Sequence, residues 1–259
     1  MTQVAARAAK QPPTDALADE LATNGHAHTD RQGRAVAQPP LESGDRLTRA
    51  EFERRYSARP DIKKAELIEG VVYVASPVRV RQHGLPHLFT NTWIGVYCAA
   101  TPGVLASDNS TLRLDEDNEP QPDVALWIDP QAGGRAHITE DDYLAGAPEL
   151  IIEIAASTAA YDLYDKRHAY RRNGVQEYLI LLPYEQKTIW YRWHEGQYIE
   201  LAADEQGILR SQVFPGLWLQ PAAFWAGDLA GVLAVLQQGL QTPEHAAFVE
   251  RLASARGSA

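Results

Sequence analysis

Residues 148–183 read PELIIEIAASTAAYDLYDKRHAYRRNGVQEYLILLP, and this stretch decides the fold. Its first part is an apolar run broken by one charge, Glu153. The short length and β-branched content favour a strand over a helix. A helix is expected from about Thr158 to Asn173, closing at Gly174, a residue suited to the position just past a helix end. VQEYLILLP then reads as a second buried strand. A strand, a helix and a strand in that order make a crossover unit, expected to be right-handed.

On the N-terminal side, LTRAEFERRY has a short helical pattern with Thr48 as a possible N-cap. AELIEG and VVYVASP read as two strands joined at Glu69-Gly70, a tight-turn dipeptide. Leu85 to Ala100 suits a largely buried helix that stops before Pro102-Gly103. VLASDNSTLRL and PDVALWI form a strand pair around the acidic turn DEDNEPQ, and a polar loop runs from Asp129 to about Gly146. On the C-terminal side, KTIWYRWHEGQYIEL reads as a hairpin turning at Glu195-Gly196, with Trp190 and Trp193 as packing residues. These elements make an α/β (α+β mixed) domain, with one central sheet and a helix packed late against it. Residues 1–44, rich in Ala, Gln, Pro, Thr and Asp, read as a mobile arm that carries His26 and His28. The domain itself is expected over 45–220, with a helical, peripheral extension over 221–259.

With 45% hydrophobic residues, the 259-residue chain can bury an ordinary core. No apolar run reaches the roughly 18 residues that span a bilayer. No secretory signal is evident, and the single cysteine, Cys98, excludes an intramolecular disulfide and a cysteine-based zinc cage. Together these fit a cytoplasmic protein with no membrane partner. The net charge of −10 argues against a protein that coats phosphate backbones, because Lys and Arg must displace counterions there.

A carboxylate inside an apolar strand needs a reason, since burying an unpaired charge is costly. Strand side chains alternate, so Ile151, Glu153 and Ala155 share one face. Asp123 opens a second apolar run after Pro122. If the two strands are neighbours, their carboxylates converge, and two hard oxygen ligands suit Mg²⁺ or Mn²⁺. Taken singly, Asp123 could serve turn chemistry and Glu153 a structural ion pair. On the helix, Asp162, Lys166 and Tyr170 fall on one face at i, i+4 and i+8. That face either carries an exposed Asp–Lys pair or aims the Lys166 ammonium at the Glu153 end of the sheet. Glu66 reads as a strand surface charge or a further carboxylate. His83 reads as a helix-entry residue or a phosphate contact. The basic group Lys166, Arg167, Arg171 and Arg172 reads by default as a solvated helix face, and Glu177 as a structural hydrogen-bonding residue.

The strings PDVALW, PELIIEIAAST and YDLYDKRHAYRRNGVQEYLILLP resemble the Uma-type family of restriction endonucleases, a bacterial branch of the PD-(D/E)XK nuclease superfamily. The likeness runs from about Glu51 to Gln220. It includes the hairpin Glu66–Gly70, His83, Pro122-Asp123, Glu153, Asp162, Lys166, Tyr170 and the run Gly174–Tyr178. The resemblance implies a restriction-endonuclease-like fold: a central curved mixed sheet flanked by helices. It implies a divalent metal at Asp123, Glu153 and Ile154, with catalysis carried by Asp123, Glu153 and Lys166. Glu66, His83, Asp162 and Tyr170 are accessory positions. The superfamily's usual lysine, two residues after the glutamate, is replaced here by Ala155, and Lys166 from the following helix matches the rearranged site. The family's Ser-Pro after the central strand is missing in Ala155-Ala156-Ser157-Thr158. Its Glu-Tyr-Trp reads Glu177-Tyr178-Leu179.

The expected function is therefore metal-dependent phosphodiester hydrolysis of DNA, in a chain able to pair as a homodimer. The alternative is a catalytically silent binding or assembly protein on the same fold. A Ser-His hydrolase is disfavoured, because no Gly-x-Ser-x-Gly elbow is present.

Overall fold

The computed structural model describes residues 39–156 and 159–257. The arm expected over 1–44, with His26 and His28, lies outside the described residues up to position 38. Ser157 and Thr158, where the late helix was expected to begin, lie outside them too.

The chain opens with helix α1 (Arg49–Ser57) and the hairpin β1 (Ala65–Ile68) and β2 (Val71–Val74). Glu69 and Gly70 both take positive φ at its turn (50° and 74°), as a two-residue type I′ turn requires. The packed region includes residues before the expected boundary at residue 45. Leu41 is buried, and Ser43 and Gly44 bond to the hairpin backbone, covering its outer strand. A five-residue π-helical turn (Val80–Gly84) leads into α2 (Leu85–Ala100), which ends where Pro102-Gly103 dictates.

Next come β3 (Val104–Asp108), β4 (Leu112–Arg113), β5 (Val124–Ile128), β6 (His137–Ile138), β7 (Leu144–Ala145) and β8 (Leu150–Ile154). A single helical stretch follows: α3 (Ala159–Tyr161), a π-helical turn (Asp162–Lys166) and α4 (Arg167–Arg172). Gly174, at φ 77°, closes it as expected. The chain continues through β9 (Glu177–Leu182), β10 (Lys187–His194), β11 (Gln197–Glu200), β12 (Leu209–Arg210) and β13 (Trp218–Leu219). It finishes with α5 (Pro221–Trp225), α6 (Leu229–Leu240) and α7 (Pro243–Arg256).

The main sheet has six strands in the order β11-β10-β9-β8-β5-β3. Only β8 and β9, the two strands of the deciding stretch, are parallel, and the other pairs are antiparallel. Both central strands are buried on both faces, which is why they read as near-continuous apolar runs.

Alternation sorts their side chains between two cores. Ile152, Ile154, Leu179, Leu181 and Trp190 pack with Trp93, Ile94 and Tyr97 of α2. Ile151, Ala155, Tyr178 and Ile180 face the other way and pack with Tyr170 of α4. The segment after residue 220 is helical, but it is not peripheral. Phe224, Val232, Leu236, Phe248 and Leu252 belong to the same core as Trp93 and Leu126. The apolar stripe on α6 packs against α2 and the β12–β13 pair and closes this core from outside.

Candidate active site

Neighbouring strands bring the two predicted carboxylates together. In the β5–β8 register Val124 faces Ile152, so Asp123 and Glu153 stand next along the same pair. Both are nearly sunk, at 4% and 3% exposed. The Asp123 amide N–H points at Glu153 Oε2 from 3.4 Å, and the Ile154 N–H donates to Asp123 Oδ2 at 2.8 Å. Each carboxylate is thus held by the other's strand.

The helical stretch delivers the rest. Asp162, Lys166 and Tyr170 do share a face, and that face is buried. The surface ion pair allowed by the i, i+4 spacing is therefore not what forms. Lys166 Nζ lies 2.9 Å from Glu153 Oε1, 2.9 Å from Glu66 Oε1 and 3.4 Å from Asp162 Oδ1. One ammonium has three N–H groups, and three carboxylates surround it. The Tyr170 hydroxyl donates to Glu153 Oε1 at 2.8 Å. A π-helical turn inserted at Asp162–Lys166 sits next to these groups, a common device at functional sites. The other members of the basic group are dispersed. Arg171 donates to the Gly196 carbonyl, and Arg172 pairs with Glu69 and Asp115.

Two residues carried as accessory positions, each with a blander alternative, stand within the cluster. Glu66 is buried, not a surface strand charge, and its Oε1 also accepts from the Gln121 N–H at 2.7 Å. His83 does mark a helix entry, and from there its Nε2 reaches Asp123 Oδ1 at 3.1 Å. Lys64 carried no expectation, yet its ammonium stands 3.7 Å from the same oxygen. Glu66 was open to the argument used for Glu153, an acid flanked by Ala65 and Leu67 in a strand. Lys64 has no such local signal, because a turn of tertiary structure places it. Glu177 keeps its structural role, accepting from Ser211 Oγ, the Gln212 and Val213 N–H groups and Trp190 Nε1.

The electrostatics follow from this packing. Burial works to raise Asp123, but the His83 bond, the Lys64 charge and the Ile154 N–H outweigh it and hold the carboxyl at about 2. Burial also raises Glu153, with help from Asp162, Asp123 and Glu66, and the Lys166 charge only partly opposes this. Burial works against the Lys166 charge, yet the three carboxylates keep it protonated well above its ordinary range.

A cavity of about 310 Å³ opens onto this cluster, lined by Lys64, Glu66, His83, Asp123, Glu153 and Lys166 among others. Among the described residues, no three His, Cys, Asp or Glu side chains form a ready-made metal cage. The available donors are two carboxylates, and Mg²⁺ is commonly held by one or two carboxylates while keeping several waters. Asp123 stays ionised, and among the described residues Glu153 Oε2 is engaged only by the long 3.4 Å contact, so the pair fits such an ion. Ile154 offers its backbone carbonyl, which accepts from the Ala156 N–H at 3.0 Å and keeps a second lone pair.

Comparison with known proteins agrees with this fold. A solved structure described as a "putative nuclease belonging to DUF820", from Anabaena variabilis, shares 16% identity. It matches over 67% of this chain and 96% of its own, with a TM-score of 0.51, a likeness that shows the fold. No curated protein matches the chain. The family model Uma2, described as "Putative restriction endonuclease", matches residues 49–222, which span every element that builds the site. The chain belongs to the Uma2 family of restriction-endonuclease-like proteins.

Proposed function

We propose that this protein is a nuclease that hydrolyses DNA phosphodiester bonds with a divalent ion, Mg²⁺ or Mn²⁺, at Asp123 and Glu153. The observation that carries the reading is the cluster itself: a buried ammonium beside two carboxylates on adjacent strands, at the floor of an open cavity. Asp123, Glu153 and the Ile154 carbonyl would hold the ion. When bound, it supplies a Lewis acid that makes water a nucleophile near neutral pH and steadies the leaving oxygen.

The chain's own groups have separable tasks. The Ile154 N–H and His83 fix the two oxygens of Asp123, so its carboxylate cannot swing. Tyr170 and Lys166 fix Oε1 of Glu153 and leave Oε2 toward Asp123. Lys166, itself buried, brings a fixed positive charge to the place where negative charge develops on phosphorus-bound oxygen. Glu66 and Asp162 hold that ammonium in place and keep it charged.

The test is the double substitution Asp123→Ala and Glu153→Ala. Mn²⁺-dependent cleavage of plasmid DNA should disappear, and cleavage that survives would show the site to be misassigned. The absence of a preformed three-donor cage favours a second reading, a silent binding protein on the same fold. In that case the wild-type chain would bind DNA and cut none at any Mn²⁺ concentration.

A further inference from the structure

We infer, on the basis of the nuclease reading above, that the substrate enters as an unpaired DNA strand laid in a tyrosine-flanked cleft. The reacting carboxylates do not lie on a surface that a duplex could press against. They are 3–4% exposed, beneath a cavity of about 310 Å³. That is the scale of a pocket for one small ligand. A paired strand brings its complement with it and cannot follow a phosphate into such a space.

The cavity continues past the carboxylates. A second one, of about 230 Å³, shares Ser76, Val78, His83 and Ala156 with the first and extends to Arg79 and Tyr184. A partly exposed tyrosine lines each of the two cavities. In the first, Tyr161, 36% exposed, packs on Tyr73 with ring centroids 4.5 Å apart. In the second, Tyr184 is 55% exposed, and its hydroxyl accepts from Arg79 at 3.1 Å. Each offers exposed ring surface to a base that no complement covers.

The charge distribution points the same way. Duplex binding through phosphates draws on about six to ten basic contacts. The basic side chains lining the cleft are Lys64, Arg79, His83 and Lys166, beside the carboxylates Glu66, Asp123 and Glu153, on a chain of net charge −10. So few basic groups can guide a strand, and stacking must supply the rest of the affinity. Stacking is available only to bases out of a duplex, and any base can use it.

The experiment is fluorescence anisotropy of the full chain in EDTA. The probes are a short fluorescein-labelled oligodeoxynucleotide of mixed sequence and the same strand annealed to its complement. The single strand should bind at least about tenfold more tightly. Tyr161→Ala and Tyr184→Ala should each weaken its binding about tenfold without affecting the duplex. Tyr161→Phe and Tyr184→Phe, which keep the ring, should bind like the wild type, separating stacking from a folding defect. Equal or tighter duplex binding, no binding of either probe, or alanine variants that bind like the wild type would overturn the proposal. A parallel Mn²⁺ cleavage assay separates its failure from that of the nuclease reading. Preferential cutting of duplex would leave a nuclease with a different substrate. Stacking-dependent binding without cutting would leave the cleft assignment without the nuclease.

Discussion

Lys166 is the residue on which the local chemistry turns. Composition alone allows it to be half of a surface pair, because Asp162 precedes it by one helical turn. Its burial among Glu66, Glu153 and Asp162 changes what its loss means. Lys166→Met keeps the volume of the stem but leaves three carboxylates packed together with no cation. Breaking a buried ionic cluster by removing one partner costs about 3–5 kcal/mol, and urea denaturation at neutral pH should show a loss of that size. A loss near zero would mean that the ammonium is solvated. Glu153 was legible in sequence because its charge interrupts an apolar strand. Glu66 was equally legible by that rule, since Ala65 and Leu67 flank it. Lys166 needed the family resemblance, and Lys64 could be found only in three dimensions, where the hairpin swings it to Asp123.

At the scale of elements, the strand-helix-strand unit was readable almost residue by residue. Strands buried on both faces leave a plain apolar signature, and Gly174 marks the helix end. The π-helical turn within that helix was not readable, because its spacing depends on packing against β8 and the β1–β2 hairpin. The role of the last helices was also hidden. A helical stripe reveals an apolar face but not what it covers. The contact between α6 and the β12–β13 pair is close enough to test. A Cβ at Gly239 would lie 2.3 Å from the Gly216 carbonyl oxygen and 2.9 Å from the Trp218 ring. Gly239→Ala should therefore lose about 1–3 kcal/mol through overpacking, despite alanine's better helix propensity. A gain in melting temperature would contradict this packing.

At the scale of the whole molecule, buried acids set the response to pH. Burial pushes Glu177 up to about 7, and the four hydrogen bonds it accepts only partly offset that. Burial and the neighbouring Glu53 carry Glu119 to about 8, and burial raises Glu149. Each holds its proton in the folded chain at a pH where the unfolded chain, with an ordinary value near 4.5, has lost it. These three acids thus bind more protons in the folded state across this window, and the stability they contribute falls as pH rises from about 4.5 to 8, outweighing the opposing shift at buried His245. Thermal melts should show the highest melting temperature on the acid side of neutrality. Glu177→Gln should flatten the slope between pH 5 and 7, removing up to about 3 kcal/mol of pH-dependent change. The central claim, that Asp123 and Glu153 form a metal centre, is tested most directly by calorimetric titration of Mn²⁺ into the intact chain. The account predicts saturable binding in the wild type that Asp123→Ala abolishes without unfolding the protein. No binding at millimolar Mn²⁺, or an unchanged isotherm in Asp123→Ala, would contradict it.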